Sequence, residues 1–108
     1  MDKLDKMFQL QKLLQLKIGY QPEQYRMDYF KDMFIGCITE LCEVIENTAW
    51  KPWKKSSKTD LIKTRKELID VWHFLINLSI SAGLTPETIF NEFIKKNEIN
   101  NRRQDNGY

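Results

Sequence analysis

Two pairs of carboxylates carry the strongest chemical signal in the chain: Glu40-Leu41-Cys42-Glu43 and Glu67-Leu68-Ile69-Asp70. A spacing of three puts both members of a pair on one side of a helix, a turn apart. Their neighbours are apolar, with Ile38, Leu41, Val44 and Ile45 around the first pair and Leu68, Ile69, Val71 and Trp72 around the second. Carboxylates in such surroundings are expected to be partly buried, and four gathered anions repel one another and lose hydration. A divalent cation with hard oxygen ligands compensates that charge, and Mg²⁺ is the usual ion where phosphate oxygens complete its shell. The competing reading is a solvated helix edge paired with Lys and Arg, the ordinary fate of helical glutamates.

Between the two pairs the chain turns basic: Lys51, Lys54, Lys55, Lys58, Lys63, Arg65 and Lys66 face the single acid Asp60. An acidic cluster bordered by a basic segment suits a Mg²⁺-polyphosphate, whose charge must be met from both sides; a solvated lysine loop is the alternative. Trp50 and Trp53 alternate with Lys51 and Lys54 and offer indole faces for stacking on a base, although loop anchoring or a dimer interface would use them as well. His73, the only histidine, lies one turn beyond Asp70. It reads either as a packed, hydrogen-bonded side chain or as a group that orients a ligand or touches the base. The run Lys95 to Tyr108 reads as a polar tail, about residues 97–108, whose basic residues, amides and tyrosine also suit a flap over phosphates.

Four helices must position these groups. Apolar residues recur at three- and four-residue intervals from about Asp2 to Lys17, with Gly19 as a stop. A second helix is expected to start near Pro22 or Asp28 and run to about Asn47, burying Tyr29, Phe30, Met33, Phe34, Cys37, Ile38, Leu41 and Ile45. A third, capped by Thr59 or Asp60, runs to about Ala82 before Gly83. A fourth begins with Thr85 as cap and Pro86 as first helical residue, and carries Ile89, Phe90, Phe93 and Ile94 as its stripe. No alternation marks a strand, so the fold class is all-α, a compact four-helix bundle in which facing helices project polar side chains into a shared pocket.

With 108 residues, the chain is read as a single domain spanning 1–108, and 30% charged residues at 42% hydrophobic content are ordinary for a globular protein. A core this small is marginal alone, so a dimer or higher oligomer is expected. The formal net charge of +2 does not call for nucleic acid as a partner. Cys37 and Cys42, five apart on a helix, point to different sides and read as reduced core thiols. No stretch reaches the ~18–20 apolar residues of a membrane span and no signal-peptide pattern opens the sequence, so no membrane and a cytoplasmic location are expected.

Taken together, Glu-x-x-Glu, the Trp-Lys-x-Trp-Lys loop, Glu-x-x-Asp-x-x-His-Phe and the Lys-Asn-x-x-Asn-x-x-Arg-Gln-x-x-Gly-Tyr run resemble the all-α dimeric dUTPases. These belong to the wider all-α nucleoside triphosphate pyrophosphohydrolase group that includes MazG-type enzymes. The resemblance implies a bundle of that type, dimeric or tetrameric, in which Glu40, Glu43, Glu67 and Asp70 hold Mg²⁺ and Glu43 activates water for attack at the α-phosphorus of dUTP. It implies phosphate contacts from Lys51, Lys54, Lys96 and Arg103, and phosphate or sugar contacts from Asn97 and Tyr108. Glu46 would hydrogen-bond water at the metal. Family members read uracil with a glutamine and asparagines on the first helix; this chain offers Gln11 and Gln15 there and no asparagine, with Trp53 and His73 as further substrate contacts. The family's extra helices between the third and fourth helices are missing, leaving Gly83-Leu84-Thr85-Pro86, so the partner subunit is expected to help complete each pocket. Alternatives are a MazG-like or dCTPase-like enzyme of another base preference and, from a different class, a helical nucleic-acid-binding or regulatory dimer without catalysis.

Overall fold

The computed structural model describes residues 2–107, whose backbone forms α1 (Lys3–Ile18), α2 (Met27–Glu46), α3 (Leu61–Ser81) and α4 (Pro86–Asp105), with no strand among them. Three of the four starts are set by side chains that satisfy otherwise orphaned backbone amides. Asp2 accepts from the Asp5 amide at 2.8 Å, Asp60 from the Lys63 amide at 3.0 Å, and Thr85 from the Thr88 amide at 3.1 Å with Pro86 as the first helical residue. α1 stops at Gly19, whose φ of 114° lies in the left-handed region that favours glycine. α2 starts from Arg26 without a side-chain cap.

α2 and α3 form an antiparallel hairpin, closed near its loop by the Asp60 amide donating to the Asn47 carbonyl at 2.8 Å. The helices cross closely because Gly36 has no side chain: a Cβ there would overlap the Phe74 ring. α1 lies on the C-terminal half of α3, where Phe8, Ile76 and Ile80 form the buried core with Leu4 and Ile89 packed against it. α4 leaves α3 at a bend of 97° and approaches α1 alone at the level of the backbone. Among the described residues, no single helix is long and apolar enough to cross a membrane.

Much of the apolar periodicity is not covered by this chain. Of the residues expected to be buried on α2, Tyr29 and Met33 are, Phe30 and Cys37 are half-buried, and Phe34, Ile38, Leu41 and Ile45 remain 42–50% exposed. On α4, Ile89 is half-buried, Ile94 is 41% exposed, and Phe90 and Phe93 are more than 60% exposed. Cys42, expected in the core, is exposed. Periodicity marks an apolar face correctly, yet it is silent on whether the same chain or another covers it. The bundle is accordingly open, with a radius of gyration of 17.2 Å against about 13 Å for a compact chain of this length. Residues 97–105, expected as a tail, continue α4 as helix.

The Gly36–Phe74 crossing is directly testable. Gly36→Ala should destabilise the fold by about 1–3 kcal/mol, the range for overpacking a close contact, measured as a lower urea midpoint. Phe74→Leu in the same chain should recover part of the loss; an unchanged midpoint for Gly36→Ala would mean that the helices are not held this closely.

Candidate functional site

The hairpin register decides where the carboxylates meet. With Gly36 against Phe74, Glu40 on α2 lies opposite Glu67 and Asp70 on α3, and carboxylate oxygens of these three lie within 4.8 Å of one another. One Glu40 oxygen, Oε2, is buried and has no hydrogen-bond partner among the described residues. Burial above all, then Glu43 as a hydrogen-bonding neighbour and the charges of Glu43, Asp70 and Glu67, hold the Glu40 carboxyl above its ordinary range. Glu43 thus adjoins Glu40 from outside the tight triad, and its own side chain is exposed. A carboxyl with a partnerless buried oxygen, gathered with two further carboxylates, is the environment a hard divalent cation would relieve, so the donor set fits Mg²⁺.

The basic loop forms a cleft of its own at the end of α2. Thr48, Ser57, Lys51, Lys54 and Lys58 line a polar cleft of about 250 Å³ together with Glu46, one turn along α2 from Glu43. Lys51 is half-buried, its Nζ 5.7 Å from the Trp50 ring centroid, and Trp50 meets Trp53 edge-on with centroids 5.7 Å apart. Trp53 is 70% exposed, leaving its indole open to a ligand. The loop is braced from within, because the Ala49 amide donates to Thr59 Oγ1 and Ser57 Oγ to the Lys54 carbonyl.

On the α1 side, buried amides replace the carboxylates. Gln11 is 4% exposed and bridges two α3 residues: its Oε1 lies 2.6 Å from His73 Nδ1 and its Nε2 donates to Asn77 Oδ1 at 2.8 Å. With the amide in this orientation His73 Nδ1 is the donor, which leaves Nε2 of the neutral ring as an acceptor. Gln15, also buried, accepts from the Tyr29 hydroxyl at 2.8 Å; burial and then the nearby Tyr20 push that hydroxyl up to about 12, so it stays protonated. Beside this network lies an apolar cavity of about 630 Å³ walled by Leu10, Leu14, Ile69 and Trp72 and edged by Gln11 and His73.

Glu40, Glu67 and Asp70 are therefore brought together with Glu43 adjoining, and Gln11 is joined to His73. Lys96, Asn97 and Arg103 are not brought to the carboxylates of their own chain: they lie on α4, whose backbone approaches neither α2 nor α3. Tyr108 falls outside the described residues. Asn77 went unnoticed in the sequence, although it is buried on α3 and holds the Gln11 amide. Its signal was a buriable amide four residues after His73, inside the apolar run Ile76 to Ile80.

An all-α bundle that gathers carboxylates from two facing helices beside a cleft of lysines defines a class of helical proteins whose site lies in the bundle interior. Within that class, residues 3–88 match the dUTPase family, and the chain belongs to it. The chain is 32% identical to a dCTP pyrophosphatase of Enterobacteria phage T4, the match covering 75% of this chain and 57% of that protein. It is 38% identical to a dCTP pyrophosphatase of Enterobacteria phage LZ5, covering 57% and 43% respectively. A DNA replication protein of phage T4 is 27% identical over 66% of this chain and 22% of its own length. The chain thus spans about half the length of the dCTP pyrophosphatases it matches. No solved structure gives a significant match.

The orphaned Glu40 oxygen sets a sign for metal-free stability. Because the folded chain holds the Glu40 proton more tightly than the unfolded chain, this group's stabilising contribution is present below the ordinary carboxylate range. It is lost as pH rises through the raised folded value. Glu40→Gln should therefore raise the thermal midpoint of metal-free protein near neutral pH and flatten this acid-side dependence. A lower midpoint with the wild-type pH profile would remove the repulsive cluster from consideration.

Proposed function

We propose that this chain is a Mg²⁺-dependent pyrophosphohydrolase of pyrimidine deoxynucleoside triphosphates, with dUTP as the leading substrate, converting dUTP and water to dUMP and pyrophosphate. The observation that carries the reading is the Glu40, Glu67 and Asp70 triad with its buried, partnerless oxygen; membership of the dUTPase family supports the substrate class. Held by these carboxylates with Glu43 at their edge, Mg²⁺ would neutralise phosphate charge and acidify a water molecule.

The chain's own residues supply the remainder. Glu43, exposed beside Glu40, takes the proton from the water as its oxygen attacks the α-phosphorus and the bond from that phosphorus to the bridging oxygen breaks. Lys51 and Lys54 meet the negative charge that collects on the departing pyrophosphate. Trp53 offers the base a stacking face, and His73 and Gln11, which edge the apolar cavity, meet its polar edge, with Asn77 holding the Gln11 amide in place. A His73 Nε2 acceptor pairs with a base donor, which is N3–H in uracil and the exocyclic amine in cytosine. For that reason dCTP is the second reading, favoured by the phage relatives named for it. The excess of exposed apolar surface supports a homodimer or homotetramer as the working form.

Pyrophosphate release from dUTP, dCTP, dTTP, dATP, dGTP and UTP, with Mg²⁺ and with EDTA, tests the reading. Turnover should require Mg²⁺ and be fastest with dUTP; a preference for dCTP keeps the chemistry and changes the base, and no turnover with any nucleotide sinks the enzyme. Glu43→Gln should keep the fold and lower kcat about 10²–10⁴-fold, the usual contribution of a general base, and unchanged kcat would exclude that role.

A further inference from the structure

The hydrogen-bonded chain of Asn77, Gln11 and His73 has two arrangements that shape alone does not tell apart. A primary amide carries an acceptor oxygen and a donor nitrogen of nearly equal size, so Gln11 and Asn77 each pack as well turned end for end. In one arrangement Gln11 Nε2 donates to Asn77 Oδ1, and Gln11 Oε1 accepts from His73 Nδ1. In the other every bond runs backwards: Asn77 donates to Gln11, Gln11 donates to a bare His73 Nδ1, and the imidazole proton sits on Nε2. Both keep the same bonds at the same distances, 2.8 Å between the amides and 2.6 Å from Gln11 to the ring. A group beyond these three must choose between them.

That group is Met33. Asn77 Nδ2 on α3 donates to the Met33 sulfur on α2 at 3.3 Å. A thioether has lone pairs and no hydrogen, so it accepts and never donates. Turned the other way, Asn77 would set its oxygen lone pairs against those of the sulfur. Burial leaves no water to soften such a contact, with Met33 8% exposed, Asn77 3% and Gln11 4%. The sulfur on α2 thus fixes the amide on α3, that amide fixes the one on α1, and the second amide fixes the proton of His73. His73 itself is exposed and edges the apolar cavity. A polarity set among buried groups is therefore delivered at the surface of the site.

We propose that Met33, acting through Asn77 and Gln11, locks the neutral His73 ring with its proton on Nδ1, so that Nε2 is an acceptor and the cavity takes ligands that bring an N–H to it. A carbonyl or a bare ring nitrogen in that position meets lone pair with lone pair and is refused. Met33 and Asn77 are positioning residues: neither lines the cavity, and both act on a ligand through the imidazole. That the ligand is a pyrimidine nucleotide rests on the function proposed above; the direction of the relay does not.

Because His73 is the only histidine, nitrogen NMR of protein labelled at histidine shows a single imidazole, and its two nitrogen shifts read the tautomer without turnover. In the neutral ring, recorded at alkaline pH, the wild type should carry its proton on Nδ1, the opposite of the Nε2–H form that a free histidine side chain prefers in water. Met33→Leu nearly conserves volume, removes the acceptor and should move the ring toward Nε2–H. Norleucine in place of the four methionines removes the sulfur while keeping the side-chain shape, and should do the same if Met33→Leu does not fold. A proton on Nε2 in the wild type, or an Nδ1–H ring untouched by loss of the sulfur, overturns the proposal. With the nucleotide that the wild type prefers, Met33→Leu should raise KM about 3–10-fold and keep kcat, as loss of one well-placed hydrogen bond in binding does; an unchanged KM overturns the role in ligand choice. Should the wild type release no pyrophosphate while its ring is Nδ1–H and shifts on loss of the sulfur, the enzymatic reading fails and the relay stands. Turnover by a wild type whose ring is Nε2–H keeps the enzyme and removes the relay.

Discussion

The close crossing of α2 over α3 is the constraint on which the rest of the molecule depends. At Gly36 the backbone of one helix accepts the Phe74 ring of the other, and no side chain larger than hydrogen leaves room for it. Because the hairpin is antiparallel, this contact sets Glu40 opposite Glu67 and Asp70 a turn away, and Met33 opposite Asn77 in the other direction, where the amide reaches the sulfur at 3.3 Å. A slip of one residue would rotate the acids apart by about 100° and dissolve the site. The carboxylate cluster works against the packing that creates it, since desolvated like charges raise the energy of the folded chain. The fold tolerates that cost at the place where a cation would remove it.

A second device fixes α1 on this hairpin. Apolar contacts at Phe8, Ile76 and Ile80 allow sliding, whereas the bonds from Gln11 to His73 and Asn77 and from Gln15 to Tyr29 have one register. Gln11 and Gln15 stand one turn apart on α1 and engage α3 and α2 respectively, so both helices of the hairpin are tied to the same strip of α1. Buried polar groups of this kind are costly unless paired, and that penalty confers specificity. The same pairing holds the imidazole at the edge of the apolar cavity.

The apolar surface has the opposite character. Phe34, Ile38, Leu41 and Ile45 repeat at intervals of four, three and four along α2, the seam a helix presents to another helix, and the chain leaves them bare. α4 is bare as well. The chain therefore contains a well-defined polar interior and an unfinished apolar exterior. The helices that carry the acids are thus also those whose apolar faces the chain leaves exposed.

By itself the sequence determined what depends on neighbours within a turn or two. Asp2, Asp60 and Thr85-Pro86 announce helix starts because a cap bonds an amide three residues away, and Gly19 announces a stop through its backbone freedom. The acid pairs were legible because helical spacing places their members together whatever surrounds the helix. Tertiary structure alone decided the rest. It chose Glu40 with Glu67 and Asp70 as the tight triad, joined Gln11 to an asparagine 66 residues away, carried α4 away from its own site and left half of the expected core of α2 exposed. Each of these depends on which distant surfaces meet, and periodicity along one helix carries no record of what lies across from it.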